Sequence, residues 1–117
     1  MNLDFHQKFQ KIIFNLEESG TAYANAKADS WYSQEMCSSI KASMMMKFLS
    51  ENPKLSLSKA EIMAKDSDDY KGHLEETREK IRAENVARAE YKKWDASFEG
   101  LRSLSSLEKR TQEQIGD

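Results

Sequence analysis

The chain has 117 residues and a formal net charge of −2 from 18 basic and 20 acidic side chains; 32% of it is charged and 38% hydrophobic. That length points to one domain, and the charge excludes a strongly cationic nucleic-acid coat but not a local basic stripe. Valine, isoleucine and threonine together number ten, with one proline and four glycines; this is too little β-branching and turn chemistry for a sheet of several strands, so the chain reads as all-α.

Residues 4–18 carry Phe5, Phe9, Ile12, Ile13 and Leu16 on one face of an amphipathic helix, with Asp4 suited to its N-terminus. Glu17-Glu18-Ser19-Gly20 reads as a helix stop, with Gly20 free to take a positive φ, so residues 1–20 form a separate N-terminal helix. A long helix is expected over 21–50. There Tyr23, Trp31, Tyr32, Met36, Ile40, Met44, Met45 and Phe48 recur at helical spacing without glycine or proline. Asn52-Pro53 ends it and opens a connector, 51–58. Ser58-Lys-Ala-Glu61 reads as a capping box for a short helix over 59–65.

Asp66-Ser67-Asp68-Asp69 then marks the start of a second long helix, 68–110. Tyr70, Leu74 and Ile81 face one way at its start; Tyr91, Trp94, Phe98 and Leu101 do so near its end. Its middle has only Ala83, Val86, Ala87 and Ala89 as apolar residues. Gly100 is either a kink or a point of passage toward Leu104 and Leu107, and the tail from Gln112 to Asp117 is expected to fray.

The expected architecture is a long antiparallel helical hairpin with short accessory helices. Its aromatic-rich stripes exceed what two helices need to cover each other. Closure into a ring-like oligomer follows, with a monomeric three-helix bundle as the rival. Trp31, Met44, Phe48, Tyr91, Trp94 and Phe98 are the candidate oligomer-interface residues.

No phosphate-binding Gly-rich loop, nucleophile elbow or His-Glu-x-x-His pair occurs, and no enzyme is expected. Asp66, Asp68 and Asp69 read as a helix cap rather than a metal cluster, and His73 as a solvated surface histidine among Lys71, Glu75 and Glu76. Cys37 reads as a small packed residue, and a lone cysteine suits a cytoplasmic protein. Neither metal nor cofactor is expected. No apolar run of about 18 residues spans a membrane, and the opening Met-Asn-Leu-Asp-Phe-His lacks a signal-peptide pattern.

The basic residues are unevenly placed. Ser39–Lys65 holds five bases and two acids; Arg78–Arg110 holds nine and six; each stretch sums to +3. Such segregation makes a cationic face for phosphates, and Trp31, Tyr32, Tyr91 and Trp94 are candidates for stacking on unpaired bases. The bland alternatives are a solvated helix face and a packed aromatic core.

The order of these signals carries a resemblance. Trp31-Tyr32 precedes Ser38-Ser39-Ile40-Lys41; after the connector come Ser58-Lys59-Ala60-Glu61-Ile62 and Lys65-Asp66-Ser67-Asp68; the last helix holds Tyr91, Trp94, Phe98 and Gly100-Leu101-Arg102-Ser103-Leu104. Over residues 21–110 this resembles the UvsY family of phage recombination mediators. The resemblance implies ring-like hexamers or heptamers that bind single-stranded DNA, help displace single-strand-binding protein and load a RecA-like recombinase in the host cytoplasm. Lys41 and Arg102 are the matching positions. The family's type member has a basic Leu-Lys-Ala-Arg-Leu element before its connector; this chain has Pro53 there, and Lys47, Lys54 and Lys59 are the nearest substitutes. Arg88 and Lys92 complete the candidate DNA-binding set. The alternative is a helical protein-binding adaptor, such as a phage assembly chaperone or an inhibitor of a host enzyme.

Overall fold

The computed structural model describes residues 3–115, all but a few of them helical: α1 (Leu3–Glu51), α2 (Leu57–Lys65) and α3 (Asp68–Ile115). No strand occurs among the described residues, so the all-α expectation holds. Gly116 and Asp117, the end of the expected fraying tail, lie outside the described residues.

One expected break is not there, and the alternative left open at Gly100 is settled as passage. The helix stop at Gly20 is replaced by uninterrupted α1, and no glycine takes a positive φ. Gly20 serves instead as a place of close approach. A Cβ built on it would lie 3.3 Å from Tyr91 Cε2, so the missing side chain makes room for that ring. At Gly100, α3 runs on without a break.

The α1–α2 corner is built from short-range polar bonds. Asn52 N donates to Phe48 O (2.9 Å), Leu55 N to Asn52 O (3.0 Å) and Lys54 N to Asn52 Oδ1 (3.3 Å). The capping box expected at Ser58 sits elsewhere. Ser56 caps α2, in extended backbone, and its hydroxyl accepts from Lys59 N (3.2 Å). Glu61 does not reach back to the cap, because two ammonium groups hold it: Lys65 at 3.2 Å and Lys41 at 3.3 Å. A charge-assisted pair on each side outcompetes one backbone N–H. Between α2 and α3, Ser67 does two jobs: its hydroxyl donates to Ala64 O (2.6 Å) and accepts from Tyr70 N (3.3 Å). Asp68 and Asp69 occupy the first turn of α3, where the helix dipole favours them.

The chain divides into two compact units, residues up to Ala24 with those from Asn85 onward, and Asn25–Glu84. In the first, α1 and α3 pack antiparallel through aromatic rings: Phe9 on Phe98 (centroids 5.8 Å apart) and Tyr23 on Tyr91 (5.9 Å). In the second they meet through small polar side chains. Ser33 Oγ and Thr77 Oγ1 are 2.7 Å apart and buried, and Thr77 also donates to His73 O (2.8 Å). His73 is therefore not the solvated histidine expected. It is half-buried, with Nε2 2.7 Å from Ser33 O; a carbonyl only accepts, so Nε2 carries a proton. Here α2 packs Ala60 and Ala64, the only fully buried apolar side chains among the described residues.

Candidate nucleic-acid interface

α1 presents two faces. Its inward positions follow a strict alternation of four and three residues: Phe5, Phe9, Ile12, Leu16, Ser19 and Tyr23 in the first unit, then Ala26, Ser30, Ser33, Cys37, Ile40 and Met44 in the second. Each is buried or half-buried, as expected of a coiled-coil seam with a period of 3.5. Most positions off that seam are exposed. Lysines on the outer positions therefore have access to ligands by geometry alone.

The seven candidate DNA-contacting residues fall into two groups. In Asn25–Glu84, Lys41 is half-buried and paired with Glu61, which it shares with Lys65. Those ammonium groups, Lys65 first and Lys41 second, hold the Glu61 carboxyl below its ordinary value of 4.5. Lys47 lies in the last turns of α1, Lys54 in the connector and Lys59 in the first turn of α2; all three are exposed and carry no ion pair among the described residues. Glu51 is the one acid between them.

In the other unit, Arg88 is half-buried: its Nε donates to the Tyr23 hydroxyl (3.1 Å) and its guanidinium lies over the Tyr23 ring, 5.7 Å from the centroid. Arg102 is exposed, 3.8 Å from Glu99, and Lys92 is exposed. The α1–α2 corner is thus the richest local source of unneutralised positive charge among the candidates.

The aromatic candidates divide as well. Tyr91 is half-buried against Tyr23 and Gly20, and Phe98 against Phe9. Trp94 is half-buried, its Nε1 donates to Glu90 Oε1 (2.9 Å), and Lys93 Nζ lies 4.8 Å from its ring centroid. Met44 and Phe48 are half-buried near the C-terminal end of α1. Trp31 and Tyr32 are different: they are 63% and 62% exposed.

Other chemistry is sparse. No group of three or more His, Cys, Asp or Glu side chains among the described residues is placed to hold a metal ion. A cleft of about 270 Å³ in the Asn25–Glu84 unit, between Tyr32 and His73, is lined by charges of both signs, Asp29, Glu76 and Lys80. No helix among the described residues is long and apolar enough to cross a membrane.

Sequence reasoning missed the polar seam. Ser19, Ser30, Ser33, His73 and Thr77 stand at seam positions, yet none registers as hydrophobic. Their spacing was the available signal: they fill the gaps in a heptad whose apolar members alone look irregular. Comparison with protein-family models, with curated proteins and with solved structures finds no match for this chain.

Proposed function

We propose that this protein is a recombination mediator of the UvsY type: a closed homo-oligomer of six or seven chains that binds single-stranded DNA. It would favour loading of a RecA-like recombinase where single-strand-binding protein would otherwise sit. The observation that carries this reading is the α1–α2 corner, where Lys47, Lys54 and Lys59 are exposed and free of ion pairs among the described residues. One such corner binds phosphate weakly. Repeated around an oligomer, the corners act on one strand together, because each bound phosphate raises the effective concentration of the next. A strand held along that path changes its relative affinity for two competing proteins, which is all that mediation requires.

Fluorescence anisotropy of a labelled oligonucleotide tests the reading. Affinity should fall steeply with salt, and each lysine changed to glutamate among Lys47, Lys54 and Lys59 should flatten the log–log salt slope by about 0.7. Lys41→Glu should matter through Glu61 rather than through phosphate. Absence of binding at low salt would end this reading.

A second reading has its own observation. Leu57 and Ile62 on α2 are 69% and 68% exposed, and Met63 is also exposed, uncovered apolar side chains that a protein-binding adaptor could use. A monomer without affinity for nucleic acid would favour it.

A further inference from the structure

The inward seam of α1 leaves a second stripe on the opposite side of the same helix. Ala28, Trp31, Glu35, Ser38, Ala42 and Met45 recur at alternating steps of three and four, two residues out of phase with Ser30, Ser33, Cys37, Ile40 and Met44. Two residues on a helix amount to about 200°, so the stripe faces away from the seam. All six lie in Asn25–Glu84. All but Met45 are exposed, as are the flanking Tyr32 and Met46 (71%). In a chain that is 32% charged, Glu35 is the only ionisable residue on it. Ala and Ser line it together with Trp and Met, the composition of a helix–helix contact and not of a solvated face.

The surface area leaves room for a partner. The chain exposes 8867 Å², whereas a folded monomer of its mass exposes roughly 6,500 Å². The surplus exceeds the roughly 800 Å² that each partner gives to a standard interface. The arrangement of the stripe says what covers it. Laid antiparallel on itself about the Ser38–Ser39 bond, it sets Trp31 against Met46 and Tyr32 against Met45, favourable sulfur–aromatic pairings. It sets Ala28 against Leu49, small against large. Glu35 then faces Ala42, so the one charge on each copy meets a methyl group at the interface edge instead of its own image.

We propose that the outer stripe of α1 pairs antiparallel with the same stripe of a second copy, about a two-fold axis between Ser38 and Ser39. This deepens the self-association in the reading above and is independent of its DNA-binding half. A two-fold contact closes at two chains, so it makes the number in any larger assembly that uses it even. It also moves Trp31 and Tyr32 from base stacking to the chain–chain contact, leaving the lysines to hold the strand.

A charge swap at Ala42 tests the pairing. Ala42 is exposed and has no charged residue three or four positions away on its own helix, so neither variant should alter helicity. Ala42→Glu places a second carboxylate beside the partner's Glu35 and should weaken self-association about tenfold, read as mass by sedimentation velocity. Ala42→Lys should leave the mass at or above that of the unaltered chain. In a Cys37→Ala background, mild oxidation should link Ser38→Cys to a second copy and leave Ala28→Cys unlinked. Equal masses for the two Ala42 variants, linkage of Ala28→Cys, or a solitary chain in solution would overturn the pairing. Anisotropy measured on the same samples reports strand binding separately, so loss of the pairing and loss of the DNA-binding reading remain distinct results.

Discussion

At Gly20 two small free energies oppose each other. A glycine inside a helix costs about 1 kcal/mol relative to alanine. An alanine there would bring its Cβ to 3.3 Å from the Tyr91 ring, so the ring must yield by a few tenths of an ångström. At Gly72 and Gly100 a Cβ meets nothing within 4 Å. Gly72→Ala and Gly100→Ala should therefore each stabilise the chain by about 0.5–1 kcal/mol, and Gly20→Ala by less; thermal melts followed by circular dichroism compare the three. A larger gain at Gly20 than at Gly100 would show that Tyr91 is not held against it.

Ser33 and Thr77 pose the converse case. Their hydroxyls are buried and satisfy each other at 2.7 Å, and Thr77 donates to His73 O. Thr77→Val keeps the shape and removes the bond, leaving the Ser33 hydroxyl short of a partner, at a cost of about 1–2 kcal/mol. Adding Ser33→Ala removes the stranded group as well. The double variant should be less destabilised than the two single losses summed, as measured by urea denaturation.

Among elements, α2 is held largely by charge and by two alanines. Glu61 ties it to Lys41 of α1, and Asp66 at its end pairs with Lys71 of α3 at 2.8 Å. The Lys71 ammonium lowers the Asp66 carboxyl from its ordinary 3.8, as Lys65 and Lys41 lower Glu61. A carboxyl that is more acidic in the folded chain stabilises it above the unfolded value. That contribution is lost as pH falls through the lower, folded one. Lys71 is raised above 10.5 by Asp66, so its share is present at lower pH and is lost only as pH rises past the raised value. Stability should thus hold steady from neutral pH down to the ordinary carboxylate range and decline below it. Glu61→Gln should flatten part of that decline, visible as a smaller change in urea midpoint between neutral and acidic pH.

The elements were legible to different degrees for physical reasons. The long helices announce themselves through Phe9, Leu16, Tyr91 and Phe98, whose apolar spacing is explicit. The continuity of α1 does not, because Gly20 offers a freedom that the helix leaves unused. Ser56 and Ser58 are both plausible caps by composition; the turn closed by Asn52 decides between them, and that turn is a matter of backbone bonds. Lys47, Lys54 and Lys59 are exposed, whereas the pairing of Lys41 with Glu61 depends on how α2 folds back toward α1.

For the whole molecule, the notable quantity is how little is enclosed. Among the described residues the largest fully buried side chain is a serine, Ser30, and the buried apolar side chains are Ala60 and Ala64. Burial supplies most of the free energy of a folded chain, so under the proposed self-association a chain with this interior gains stability from the surface covered between copies. Its melting temperature should therefore rise with protein concentration, by the mass-action linkage that couples folding to assembly. A melting temperature constant over a hundredfold range of concentration, roughly what that linkage makes visible, would mark the chain as self-sufficient.

Assembly and strand binding meet in one measurement: sedimentation velocity of the full chain with a labelled single-stranded oligonucleotide, at low and at moderate salt. The account predicts a closed oligomer under both conditions, with the label travelling with it at low salt and released as salt rises. A single chain sedimenting alone, with the oligonucleotide free at every salt concentration, would contradict it.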